Sequence, residues 1–108
     1  MKLSELEPTF LKAKTPTEYE IIDSLSEADG VSFLCPVCFI KNKGSRGTHS
    51  IVCWRPHVSL DYSPRPGRWQ FVGTSLADLS LDNSPNASSV FLTGGCMAHF
   101  SIKKGEIV

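Results

Sequence analysis

The chain of 108 residues is long enough for one domain with a modest core, and its 11 basic and 11 acidic residues cancel. That balance removes any global electrostatic argument for nucleic acid or an anionic membrane, both of which favour a basic face. No apolar run approaches the roughly 20 residues that span a bilayer. The start, "MKLSELEPTF", lacks the apolar centre of a secretory signal, so a cytoplasmic setting is expected.

In chain order, "SELEP" can make one helical turn before Pro8, and "TFLKAK" reads as a short strand or extended arm. "TEYEIID" mixes β-branched and aromatic residues in alternation and predicts a strand. In "SLSEADG", Ser24 followed by Glu27 is a capping box and Gly30 is placed to stop a helix, so one short helix is expected over 24–30. From Val31 onward the pattern is β. "VSFLC" is an apolar strand entering "CPVC", and "FIKNKGSRGT" reads as a loop. "HSIVCW" alternates, with His49, Ile51 and Cys53 on one face and Ser50, Val52 and Trp54 on the other. The proline-rich "RPHVSLDYSPRPGR" predicts an irregular exposed excursion. "WQFVG", "LADLSL", "SVFL", "HFSI" and "EIV" follow as short β segments, the last two joined by the turn Lys103-Lys104-Gly105. The expected fold is α+β, mainly β: a small antiparallel β-domain over 1–108 with a zinc knuckle and one short N-terminal helix. Its parts are an N-terminal arm (1–23), the helix (24–30) and a β core (31–108).

Four cysteines in a reducing compartment point away from disulfides and toward buried thiols, metal ligands or a nucleophile. Cys35 and Cys38 in "CPVC" can grip one ion, because the turn between them aims both sulfurs. A redox reading of the same motif wants the first cysteine at the start of a helix, where the sequence suggests a glycine-containing loop instead. Tetrahedral Zn²⁺ needs two more donors, and "CMAH" supplies Cys96 and His99 at matching spacing. His49 competes for the fourth position, because its strand should hairpin back beside the knuckle. If His99 closes the site, His49 is left as a spare imidazole. Cys53 alternates with Ile51 and reads as core, and His57 as solvated. Ser88 and Ser89 open a strand shortly before the Cys/His turn, and a serine nucleophile would need a histidine that zinc does not use.

"FLCPVCF", "GTHSIVCW", "PGRW", "GTSLADLSL", "SSVFLTGGCMAHF" and "KKGEIV", in this order, resemble a family of small phage-encoded Cys/His-rich proteins of uncharacterised function. The likeness runs from about Val31 to the C-terminus. That family is in turn similar to a wider superfamily whose members include processing peptidases of bacterial ubiquitin-like operons, with a serine nucleophile. The resemblance implies that Cys35, Cys38, Cys96 and His99 hold zinc and that Ser89-Val90 matches the Ser-Ile/Val step. Ser89 would then be the nucleophile and His49 its base, with amides near Gly94 and Gly95 facing the oxyanion. Ser88 departs from the superfamily's proline, "DNSPNAS" is longer than the usual link, and Met97-Ala98 replaces Gly-Trp. Two functions are therefore expected: a zinc-stabilised serine hydrolase, or a non-catalytic zinc module. The module would bind a host or phage protein or peptide through the loop bearing Tyr62, Arg68 and Trp69. In either case the setting is the host cytoplasm, without membrane or nucleic-acid partners and with no oligomeric state implied.

Overall fold

The computed structural model describes residues 1–59, 61–62, 68–82, 89–91 and 99–108. A 3₁₀ turn at Leu3–Leu6 leads into β1 (Thr9–Thr15), β2 (Glu18–Ile22) and β3 (Gly30–Leu34), followed by the helix α1 (Pro36–Asn42). After it come β4 (Ser50–Trp54), β5 (Gln70–Val72), a second 3₁₀ turn at Leu76–Asp78, β6 (Ser80–Asp82), β7 (Ser89–Phe91), β8 (His99–Lys103) and β9 (Glu106–Ile107). The named strands pair antiparallel in three sheets, ordered β2-β1-β3-β4, β5-β6 and β7-β8-β9. The fold is α+β, mainly β, with one short α-helix among the described residues, as the patterning predicts.

The helix is not where the local signals put it. Leu25–Glu27 forms a turn, because distant groups claim the atoms a helix over 24–30 would use. Arg55 donates to the carbonyls of Leu25 (2.9 Å) and Ala28 (2.8 Å), and the Asp29 amide donates to Leu11 (2.7 Å). The Ser24 hydroxyl meets Ser26 instead of capping (2.9 Å). Helix α1 occupies the first part of the segment expected as a loop. Pro36 stands at its start, where a fixed φ is an advantage and a missing N–H costs nothing. At its end Lys43 turns left-handed (φ 57°), and the amides of Lys43 and Gly44 return to the carbonyls of Ile40 and Phe39. That pair of bonds is a Schellman close. Residues 1–23, expected as an arm, contribute β1 and β2 to the main sheet.

Alternation along β3 and β4 builds the core. Val31 faces Cys53 and Phe33 faces Ile51 across the ladder, and all four are buried with Phe71, Leu79, Leu81, Phe100 and Ile102. Phe33 and Phe100 meet edge to face, with centroids 6.0 Å apart. On the other face, Leu11, Trp54 and Val58 form a smaller cluster, with Tyr19 edge-on to Trp54. The expected turn is present: Lys104 and Gly105 both take positive φ (50° and 75°), as a two-residue hairpin requires.

Asp29 ties these parts together. Its carboxylate accepts the Ala13 amide (2.8 Å) and meets His57 (2.8 Å) and Lys12 (3.9 Å). Partial burial works against its charge, but the Ala13 amide, His57 and Lys12 together outweigh that and hold the carboxyl below its ordinary value. His57, though exposed, is therefore a hydrogen-bond partner of Asp29 rather than simply solvated. Arg68 similarly pins the proline-rich excursion, donating to the carbonyls of Val58, Ser59 and Tyr62.

Gly30 shows how tightly β3 and β4 meet. A Cβ there would lie 2.5 Å from the Trp54 ring and 2.7 Å from the Cys53 carbonyl. Gly30→Ala is expected to lower unfolding free energy by about 1–3 kcal/mol, an overpacking cost, without changing the fold. Urea titration followed by tryptophan fluorescence measures it, and an unchanged midpoint would contradict the close approach.

Candidate metal centre

The antiparallel register sets the site. Successive core-facing rungs of β3 and β4 are Val31↔Cys53 and Phe33↔Ile51, and the same register, continued one step past its last rung at Leu34↔Ser50, sets Cys35 opposite His49. The ladder continues that far, since the Cys35 amide donates to the His49 carbonyl at 2.9 Å. Cys35 then caps α1, and Cys38 follows three residues later on the first turn, where such neighbours share a face.

These elements bring the ligand atoms of Cys35, Cys38 and His49 within 4.8 Å of one another. The group runs from a buried Cys35 through a half-buried Cys38 to an exposed His49. Tetrahedral zinc, with bonds of about 2.0–2.3 Å, needs donor separations of roughly 3.5–3.8 Å. Small side-chain rotations therefore close the group on an ion. Two thiolates and an imidazole are a borderline-soft donor set suited to zinc and its transition-metal neighbours, and unsuited to calcium or magnesium.

The expected site residues fall into three groups. Cys35 and Cys38 stand together, and His49, expected as the spare base, stands with them. Cys96 and the Gly94-Gly95 turn lie outside the described residues. Ser89 and His99 are strand residues of β7 and β8, where Ser89 pairs with Ser101 and His99 with Phe91.

Cys53 takes no part in the centre. It is fully buried among the core side chains, and burial pushes its thiol far above the usual range. The proposed contact loop is also corrected: Trp69 is buried in the main core, and Arg68 is spent on backbone carbonyls. Exposed apolar side chains include Val37 and Ile40 on α1, at 42% and 65%, along with Tyr19 and Ile21 on β2 and Val72 on β5. The signal for the α1 surface is Pro36, whose fixed φ suits a helix start.

Comparison of the chain with known families, with curated proteins and with solved structures finds no match. Among the described residues no helix is long and apolar enough to cross a membrane.

The burial gradient predicts thiol reactivity. In reduced, chelator-treated native protein, iodoacetamide should modify Cys38 at least about tenfold faster than Cys53, since the thiolate is the nucleophile and burial suppresses it. Peptide mapping by mass spectrometry reads the two rates. Equal labelling would contradict the burial of Cys53.

Proposed function

We propose that the chain is a zinc-stabilised β-module that binds a protein or peptide partner, with the ion held by Cys35, Cys38, His49 and Cys96. The convergence of three donors within 4.8 Å at the end of one core ladder carries this reading. Cys96 is assigned as fourth donor from its spacing and from reach. Phe100 packs against Phe33, two residues before Cys35. The chain from Cys96 to Phe100 can extend at most about 14 Å from that contact. Four protein donors close the coordination sphere, so the zinc would cross-link β3, α1 and β4 and supply folding energy. The resemblance of its motifs to those of small phage proteins extends the proposal to a phage-type protein working in the host cytoplasm.

The binding face in this reading is α1. Val37, Ile40 and Lys41 lie at i, i+3 and i+4, on one side of the helix, and all are exposed. Residues 31–60 contain no Asp or Glu, so Lys41, Lys43 and Arg46 give the surroundings a positive sign. Aliphatic anchors rimmed by cations suit an acidic peptide or protein surface. They lack the exposed aromatic platforms on which single-stranded nucleic acid stacks.

Elemental mass spectrometry on protein purified without chelators tests the donor set. Wild type and His99→Ala should carry one zinc per chain, and His49→Ala should lose it or bind it at least about tenfold more weakly. Zinc lost from His99→Ala and kept by His49→Ala would give the histidine position to His99 instead.

A second reading, a serine-type hydrolase, is favoured by the register of β7 and β8. Ser89 and His99 are diagonal neighbours across that ladder, at positions of the same parity. With His49 given to the metal, His99 takes the role of base. Ser89 would attack a peptide or ester carbonyl as His99 removes its proton. Ser89→Ala should then keep its zinc and its fold while hydrolysis of p-nitrophenyl acetate falls to the buffer rate. Unchanged turnover in that variant ends the hydrolase reading.

A further inference from the structure

We propose that Cys35 and Cys38 form a redox-modification site, at which a peroxide-class oxidant joins the two sulfurs as a disulfide and releases the metal. The inference rests on the metal-binding reading of the same group. The sequence argued against redox chemistry because it suggested a loop after the knuckle. In the structure β3 runs directly into α1, with Cys35 at the cap, Pro36 next and Cys38 on the first turn.

Three features bear on this chemistry. Residues three apart at the start of a helix are neighbours, within the Cα separation of about 4.4–6.8 Å that a disulfide bridges. The two sulfurs lie within the 4.8 Å envelope of the donor group, so rotation about the side-chain bonds brings them together. The third feature is the difference in exposure. Cys38 is half-buried and open to a small oxidant, whereas Cys35 is buried and positioned to resolve what forms on its neighbour. An accessible thiolate beside a resolving thiol is the arrangement of reversible thiol oxidation.

The steps balance. The Cys38 thiolate attacks one oxygen of hydrogen peroxide, the O–O bond breaks, and Cys38 becomes a sulfenic acid with hydroxide released. The Cys35 thiolate then attacks the Cys38 sulfur, an S–S bond forms, and the S–O bond breaks to release a second hydroxide. Two protons from solvent convert both hydroxides to water. Two electrons pass from the sulfurs to peroxide. The disulfide removes two of the four proposed donors and leaves His49 and Cys96, too few to hold zinc against solvent. A dithiol reductant supplies two electrons, restores both thiolates and allows zinc to rebind.

The test uses the full-length zinc-loaded protein. Hydrogen peroxide is titrated in, zinc release is followed with a colorimetric chelator, and disulfides are located by peptide mapping. One zinc should leave per disulfide formed, the bond should map to Cys35–Cys38, and dithiothreitol with added zinc should restore the starting state. Cys38→Ser, which can also weaken zinc binding, serves only as a second check: it should form no disulfide at Cys35. Zinc retained while peroxide is consumed, release accompanied by sulfinic acid, or a disulfide mapped to another pair would overturn the proposal while leaving the metal reading standing. Purified protein that carries no metal would overturn both.

Discussion

The register between β3 and β4 is the constraint from which the candidate centre follows. In an antiparallel pair, a shift of one residue sends every side chain to the opposite face. Val31, Phe33, Ile51 and Cys53 are all buried on one face, so burial of these four strongly favours the observed register. The same register sets His49 opposite Cys35. A cross-strand donor pair is thus obtained from the packing of apolar neighbours, and the ordering entropy of two ligands is met largely by core formation. The close fit of Gly30 against Trp54 pins the far end of the ladder. One end of the strand pair is locked by sterics, and the other is available to a metal.

Helix α1 depends on that end. Seven residues are too few for a helix to persist alone. Its apolar Val37 and Ile40 face outward, so burial of its own side chains contributes less than in an ordinary amphipathic helix. Its order comes from its two ends, Pro36 following the last rung and the Schellman close at Lys43 and Gly44. An ion shared by Cys35, Cys38 and His49 would join β3, the first turn of α1 and the start of β4 in one cross-link. The exposed face of α1 would then be presented or loosened according to whether the ion is held. Metal binding, redox state and partner binding are coupled through one short element in this view.

Much of this was legible in the sequence, and the misses have a common cause. The alternation of "HSIVCW" gave the face shared by His49, Ile51 and Cys53, and Lys103-Lys104-Gly105 gave the final hairpin, because both are local patterns. Ser24 and Glu27 form a local capping pattern that points to a helix over 24–30, and Arg55 overrides it from about thirty residues away. Pro36 lies inside the Cys-x-x-Cys knuckle, and the same residue type suits the first position of a helix, so the local pattern allows both a turn and a helix start. Trp69 and Arg68 looked like interface anchors, since those residue types often are. Only the tertiary structure shows that one completes the core and the other holds three carbonyls. His49 was recognised as a competitor for the metal. The Cys35 amide bond to the His49 carbonyl shows that the β3–β4 ladder reaches the knuckle and brings His49 beside it.

That extension also separates the two chemistries suggested for the chain. The thiol and imidazole group lies at the end of the four-stranded sheet, whereas Ser89 and His99 belong to the three-stranded sheet β7-β8-β9. Phe100 and Ile102 carry β8 into the main core, and the Phe33–Phe100 contact links the two sheets near the knuckle. An ion bound by Cys35, Cys38 and His49 would therefore act on Ser89 and His99 through packing, by fixing the strand against which Phe100 rests. A closed zinc site gives the same mechanical contribution whether or not the serine reacts. The metal and the serine thus call for independent evidence, and the metal comes first, since the residues that could hold it stand where β3, α1 and β4 meet.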